Sequence, residues 1–167
     1  LGWAYATDRD SARKGYDRAY LLPSAERNRT QAKNYDTFCL SNIAPQHPAP
    51  NRRVWSAHDA EVRRIAERLD TVWIVTGGEL KPGLPCIGAN RVGVPEVYYK
   101  ALLARRDGEY ISIAFVVPNR DTVSGPCWNY AVSVNAAEKL LGIDFFPNLP
   151  DHLEELVESQ REPVHWK

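Results

Sequence analysis

Asp17-Arg18-Ala19-Tyr20 sets a carboxylate, a guanidinium and a phenol side by side, just ahead of Pro23 and the small Ser24. The planar fork of donors on Arg18 matches the oxygens of a phosphate. A phenol is a poor proton acceptor near neutrality: with an ordinary pKa near 10, roughly one in a thousand is ionised at pH 7. A second group of polar residues follows. Asn51 opens a helical pattern, where Asn suits a cap. Asp59 and Arg63 stand four residues apart on one helix face, within reach of each other. Of the histidines nearby, His58 falls inside an apolar stripe and reads as a partly buried structural residue, while His47 lies among prolines.

These residues need a frame. From Asn51 to about Leu69, Trp55, His58, Val62, Ile65 and Leu69 recur at three- and four-residue steps, which predicts an amphipathic helix. Thr37–Asn42 reads as a strand, and Ala44–Pro50, with its prolines, as an irregular loop. Thr71–Thr76 is rich in β-branched residues and predicts a buried strand ending at Gly77-Gly78. Val97–Arg105 and Tyr110–Val117 predict two strands joined at Asp107-Gly108. A further strand is expected over Trp128–Val132, and a short helix over Asn135–Leu141, stopped by Gly142. A last helix has Asp151 as its N-cap. The expected class is α+β: a mainly antiparallel sheet with flanking helices, in a single domain over residues 1–167.

Composition narrows the function. The chain has 167 residues, 44% of them hydrophobic, enough for a real core, and no apolar run long enough to span a membrane. The 21 Lys and Arg balance 21 Asp and Glu, so no strong net charge draws the protein to nucleic acid. The charges are nonetheless unevenly spread: Arg9, Arg13, Lys14, Arg18, Arg27, Arg29 and Lys33 crowd the N-terminal part, followed by Arg52 and Arg53, whereas the tail is acidic. Either a basic face or ordinary solvated charge fits this pattern. The three cysteines lack metal-ligand spacing. Cys39 is expected to be a buried free thiol. Cys86 and Cys127, each beside a proline in a loop-like stretch, are expected to be bridged, which would imply an oxidising compartment.

The segment Gly15–Ala25 resembles the signature of the DNA/RNA non-specific endonucleases of the ββα-metal type, Asp-Arg-Gly-His followed by Pro and a small residue. Ala19 takes the Gly position and Tyr20 the His position. Further segments resemble the family in its order: Asn42-Ile43-Ala44-Pro45-Gln46, Asn51 four residues before Trp55, Val75–Gly78, Val94-Pro95 with Tyr99-Lys100, Phe115–Asn119 and Leu141–Leu149. The similarity runs from about Tyr16 to about Glu158.

The resemblance implies a ββα-metal unit and cleavage of DNA and RNA phosphodiesters through backbone contacts, with little base readout and no membrane partner. It implies one divalent ion, Mg²⁺ or an alternative such as Mn²⁺, held by the side-chain oxygen of Asn51 and by water. It places Asn42 along the site, Asp59 near the metal's water shell and Arg18 against phosphate; from the basic charge, Arg52 and Arg53 are also expected to contact nucleic acid. Tyr20 stands where the family has its general base, and its bulk occupies space for the attacking water. A silencing substitution, introduced or natural, and a phenol tuned to act as phenolate are the open accounts of it. An extracellular, periplasmic or delivered protein is favoured. The competing reading is a catalytically silent nucleic-acid-binding or interaction domain on the same fold.

Overall fold

Two ten-residue strands, β6 (Val97–Arg106) and β7 (Glu109–Pro118), form a long hairpin at the centre of the protein. The turn between them is the expected Asp107-Gly108 pair, both with positive φ (52° and 90°), as a two-residue hairpin requires. In this computed structural model, which describes residues 6–11, 15–161, 163 and 166, the hairpin is flanked by β3 (Thr71–Gly78) and β8 (Ala131–Val132). The antiparallel order is β3-β6-β7-β8. Two smaller antiparallel pairs complete the strands: β1 (Asp17–Tyr20) with β2 (Ile43–Gln46), and β4 (Cys86–Ile87) with β5 (Val92–Gly93).

Strand alternation sends successive side chains of the hairpin to opposite faces. Leu102, Ala104, Ile111, Ile113 and Phe115 pack with Val62 and Ile65 of helix α3 (Ser56–Ala66) and with Trp166. Ala101, Leu103 and Ala114 pack on the other side with Val134 and Ala137 of α4 (Val134–Leu141), with Phe145 and Phe146, and with Val157 of α5 (Asp151–Glu158). Helices therefore cover both faces of one antiparallel sheet, the expected α+β arrangement. Two short helices precede them, α1 (Asp8–Ser11) and α2 (Gln31–Asp36). Among the described residues no helix is long and apolar enough to cross a membrane.

Several local expectations are corrected. Thr37–Asn42 is not a strand: it closes α2 and winds through a 3₁₀ turn over Leu40–Asn42. Local side-chain bonds override its β pattern, with Thr37 Oγ1 donating to Asn34 O and Asn42 Nδ2 to Thr37 O. The pairing strand starts instead at Ile43 and runs into the proline-rich stretch. Pro45 is tolerated because β2 pairs only with β1. Its carbonyl accepts from Tyr98 Oη and Asn119 Nδ2. Thr71–Gly78 is a strand, but an edge one, with Trp73 and Ile74 well exposed. Trp128–Tyr130 belongs to a 3₁₀ turn, which leaves only Ala131–Val132 in β8. α4 ends at Gly142, whose φ is 67°, as expected. Asp151 opens α5 rather than capping it; the cap position is Pro150.

The expected bridge is absent. Cys39, Cys86 and Cys127 are all free. Cys127 is buried against Val54, Trp55 and Tyr98, and burial pushes its thiol pKa up, whereas Cys86 lies exposed on β4. Cys39, expected inside, is exposed because it precedes the 3₁₀ turn rather than lying in a strand. Arg13, Lys14 and Glu162 lie outside the described residues, and with them part of the expected charge clusters.

Glu158 closes the inner face of α5. It is buried, its Oε1 has no hydrogen-bond partner, and burial beside the carboxyls of Glu138, Glu154 and Asp144 raises its pKa to about 7. An unfolded glutamate loses its proton near pH 4.5. Between that pH and about 7 the folded chain keeps a proton that the unfolded chain has released. Stability from this group is therefore full below pH 4.5, falls as pH rises through the window, and stays low above it. Glu158→Gln should raise the melting temperature at pH 8 and change it little at pH 4.5, by an amount on the order of 1 kcal/mol at the higher pH. Thermal unfolding of both forms at the two pH values checks this, and an equal effect at both would contradict it.

Candidate nuclease site

β1 and β2 form the mouth of the site and the helix after them forms its wall. Asn51 lies in a π-wound segment, Pro50–Trp55, that runs directly into α3. Its N–H bonds to His47 O (3.1 Å), and the wide turn is closed by Ser56 N–H bonding to Asn51 O and Arg53 O. Such turns commonly mark functional positions in helices. Pro50 at the start fits because the first helical turn needs no N–H there. Trp55, His58, Val62 and Ile65 form the buried stripe that the sequence indicates, and they seat the helix on the sheet.

One cavity of about 350 Å³ gathers Arg18 and Tyr20 from β1, Phe38, and a row along the helix: Asn51, Trp55, Asp59 and Arg63. Five of the anticipated site residues thus share one space. The Asn51 amide is oriented by its neighbour: Nδ2 donates to Gln46 Oε1 (2.8 Å), and Oδ1 accepts no hydrogen bond among the described residues. Gln46 is wholly buried at the end of β2 and holds the carboxamide from behind. A free amide oxygen beside one carboxylate, with room for water, is a donor set that fits Mg²⁺.

The anticipated pair of Asp59 with Arg63 is not made. Asp59 is instead held by Lys100, whose Nζ lies 2.5 Å from Asp59 Oδ1. Lys100 is only 1% exposed, sits on the α3-facing side of β6 in alternation with Tyr98 and Leu102, and places its ammonium 5.3 Å from the Trp55 ring centre. Burial raises the pKa of Asp59, and the neighbouring Lys100 works against that rise. Glu26, part-buried nearby, is raised in the same way and has an unpartnered Oε1. Arg63 lines the cavity with no ion pair among the described residues. Arg18 also lines it, but its guanidinium is engaged by Asp8 Oδ1 (2.8 Å) and Ser11 Oγ (3.1 Å) of α1.

Other anticipated residues lie elsewhere. Asn42 does not line this cavity. Its amide clamps the chain after β1, accepting from Leu22 N (2.8 Å) and donating to Leu22 O (2.9 Å) and Thr37 O (2.8 Å). Arg52 points away and forms a two-bond pair with Asp17 (2.7 and 2.8 Å), so Asp17 anchors β1 to the helix. Arg53 is exposed on the outer side of the same turn. His58 is fully buried against Phe115 and Trp55, with both ring nitrogens unpartnered. Burial, with Lys100 nearby, drops its pKa to about 3, so it is neutral and structural.

Two supporting residues escaped the sequence reading. Lys100 was legible as a charge at an inward position of an apolar strand. Asn119 was not: its Oδ1 accepts from His47 N (2.7 Å) and its Nδ2 donates to Pro95 O (2.8 Å) and Pro45 O, fixing the turn between β2 and the helix.

Removing the Lys100 ammonium should expose its structural weight. Lys100→Met leaves a mostly buried carboxylate unpaired and should cost about 3 kcal/mol in urea unfolding at pH 7. Adding Asp59→Asn should recover part of that loss. A single variant as stable as the parent would show that the pair carries little energy.

An antiparallel strand pair and the helix after it thus enclose guanidiniums, an oriented amide oxygen and a carboxylate in one cavity. The chain belongs to the DNA/RNA non-specific endonuclease family, whose profile matches residues 2–152. It is 30% identical over 168 residues to a nuclease of Nostoc sp., covering 95% of this chain and 61% of that protein. It is 33% identical over 159 residues to the mitochondrial nuclease EXOG of Homo sapiens, covering 86% of this chain and 43% of that protein. Among solved structures, a chain of the EndoG/EndoGI complex superposes with a TM-score of 0.81 at 28% identity, covering 89% of this chain and 66% of that one. The chain spans about half the length of the curated relatives it matches.

Proposed function

We propose that this chain is a divalent-metal-dependent, sugar-non-specific endonuclease domain acting on the backbones of DNA and RNA, with its hydrolytic step impaired by Tyr20. The observation that carries the reading is the single cavity holding Arg18, Tyr20, Asn51, Asp59 and Arg63. Arg63 and Arg18 would meet the phosphate, the latter by exchanging its exposed Asp8 partner for substrate. Asn51 Oδ1 would hold the ion, with Asp59 reaching it through water. When bound, Mg²⁺ neutralises charge on the phosphate and assists the leaving oxygen. What is missing is a side chain that takes a proton from water at pH 7.

Tyr20 favours a second reading on the same cavity, a binding domain that no longer cuts. Both readings require the protein to bind DNA and RNA oligonucleotides with an affinity that falls steeply with salt. Fluorescence anisotropy across a salt series tests the shared part, and plasmid nicking with Mg²⁺ separates the two. Absence of salt-sensitive binding to either polymer would remove both readings.

A further inference from the structure

We propose that Tyr20 is a nucleophile: its phenolic oxygen attacks the phosphorus of a bound strand and forms a phosphotyrosyl ester. The inference rests on the nucleic-acid reading above and gives the site a strand-transfer activity in place of hydrolysis.

Two observations carry it. First, Tyr20 lines the same cavity as both guanidiniums and the oriented Asn51 oxygen. Second, its ring is braced by an edge contact with Phe38 (centroids 5.6 Å apart, 75° between planes), while its hydroxyl makes no hydrogen bond among the described residues. Tyr98 Oη and Tyr130 Oη are committed to Pro45 O and Ser124 O, whereas the hydroxyls of Tyr16, Tyr35, Tyr99 and Tyr110, like that of Tyr20, make no hydrogen bond among the described residues but do not line this cavity.

The step balances without another reactant. The Tyr20 Oη–P bond forms and one P–O bond of the strand breaks. The phenolic proton passes to solvent, and the departing strand oxygen takes a proton from solvent. Arg63, and Arg18 once it exchanges Asp8 for the strand, would face the charge that gathers on the phosphoryl oxygens. One fragment is left as an ester on Tyr20 and the other carries a free hydroxyl, which can attack the ester and reseal the strand.

The test uses the full chain with single-stranded DNA labelled at one end or the other and cut short on one side, so that the released piece diffuses away. Incubation at pH 8 with Mg²⁺, with Mn²⁺ or with EDTA is followed by denaturing electrophoresis and peptide mass measurement. The expected result is a metal-dependent species heavier than the protein by one DNA fragment, mapped to the peptide containing Tyr20, and absent in Tyr20→Phe. Binding is measured in parallel in EDTA. Tyr20→Phe that binds equally well shows that its missing adduct is chemical. If the parent binds DNA and Tyr20→His cleaves it, yet no adduct forms on Tyr20, the nucleophile is refuted and the nuclease reading stands. An adduct that persists in Tyr20→Phe refutes it as well. If neither form binds DNA, both fall together.

Discussion

Tyr20→His should raise Mg²⁺-dependent turnover of plasmid DNA and of RNA by roughly 10²-fold or more. An imidazole with a pKa near 6.5 accepts a proton from water at pH 7, which a phenol does not. The surroundings permit the change, because Tyr20 is only partly buried and its one ring neighbour among the described residues is Phe38, itself half-exposed. Restoring glycine at the preceding position is not expected to help. Ala19 has ordinary strand geometry in register with Ala44, and its methyl is buried with Val54 and Trp55. Ala19→Gly should therefore lower stability without adding rate. Initial rates of the parent and Tyr20→His proteins over pH 6–9 decide the matter. A parent already as fast as its histidine variant would mean that the proton acceptor lies elsewhere.

Asn51→Ala, placed in the Tyr20→His background, should abolish metal-dependent cleavage while leaving the fold intact. Among the described residues the side chain makes one hydrogen bond, from Nδ2 to Gln46, and Oδ1 accepts none. The helix therefore loses little structure and the proposed ion loses its protein ligand. Gln46 would then be left wholly buried without its partner, so a modest loss of stability accompanies the change. Cleavage assays across a Mg²⁺ and Mn²⁺ series, with circular dichroism as a control for folding, test this. Cleavage that survives with unchanged metal dependence would move the ion off Asn51.

The frame of the site was legible because its signals are local and periodic. The three- and four-residue apolar recurrence fixed the helix and its buried face, and Asp107-Gly108 fixed the central hairpin. The spacing from Asn51 through Trp55 and Asp59 to Arg63 placed a row that the structure brings to one cavity. The failures have a common cause. Asn42 and Thr37 use their side chains to bond nearby backbone, so a segment with strand-like composition curls into a turn. Asp59 paired with Lys100, distant in sequence and buried, rather than with the partly exposed Arg63 one helical turn away. Likewise, no local pattern announces that Asn119 stitches β2 to the helix start.

The site's parts are carried by two pieces of chain, tied together by the Arg52–Asp17 pair. The helix row presents Asn51, Asp59 and Arg63, braced by Gln46 and Lys100, while Tyr20 faces the cavity from β1 beside Arg18. Altering that one position disturbs none of the bracing. Tyrosine and histidine codons differ by a single base, so under the proposed function a lineage with this architecture is one point mutation away from switching between a cutting enzyme and one that does not hydrolyse, with the rest of the site kept in order by its structural duties alone.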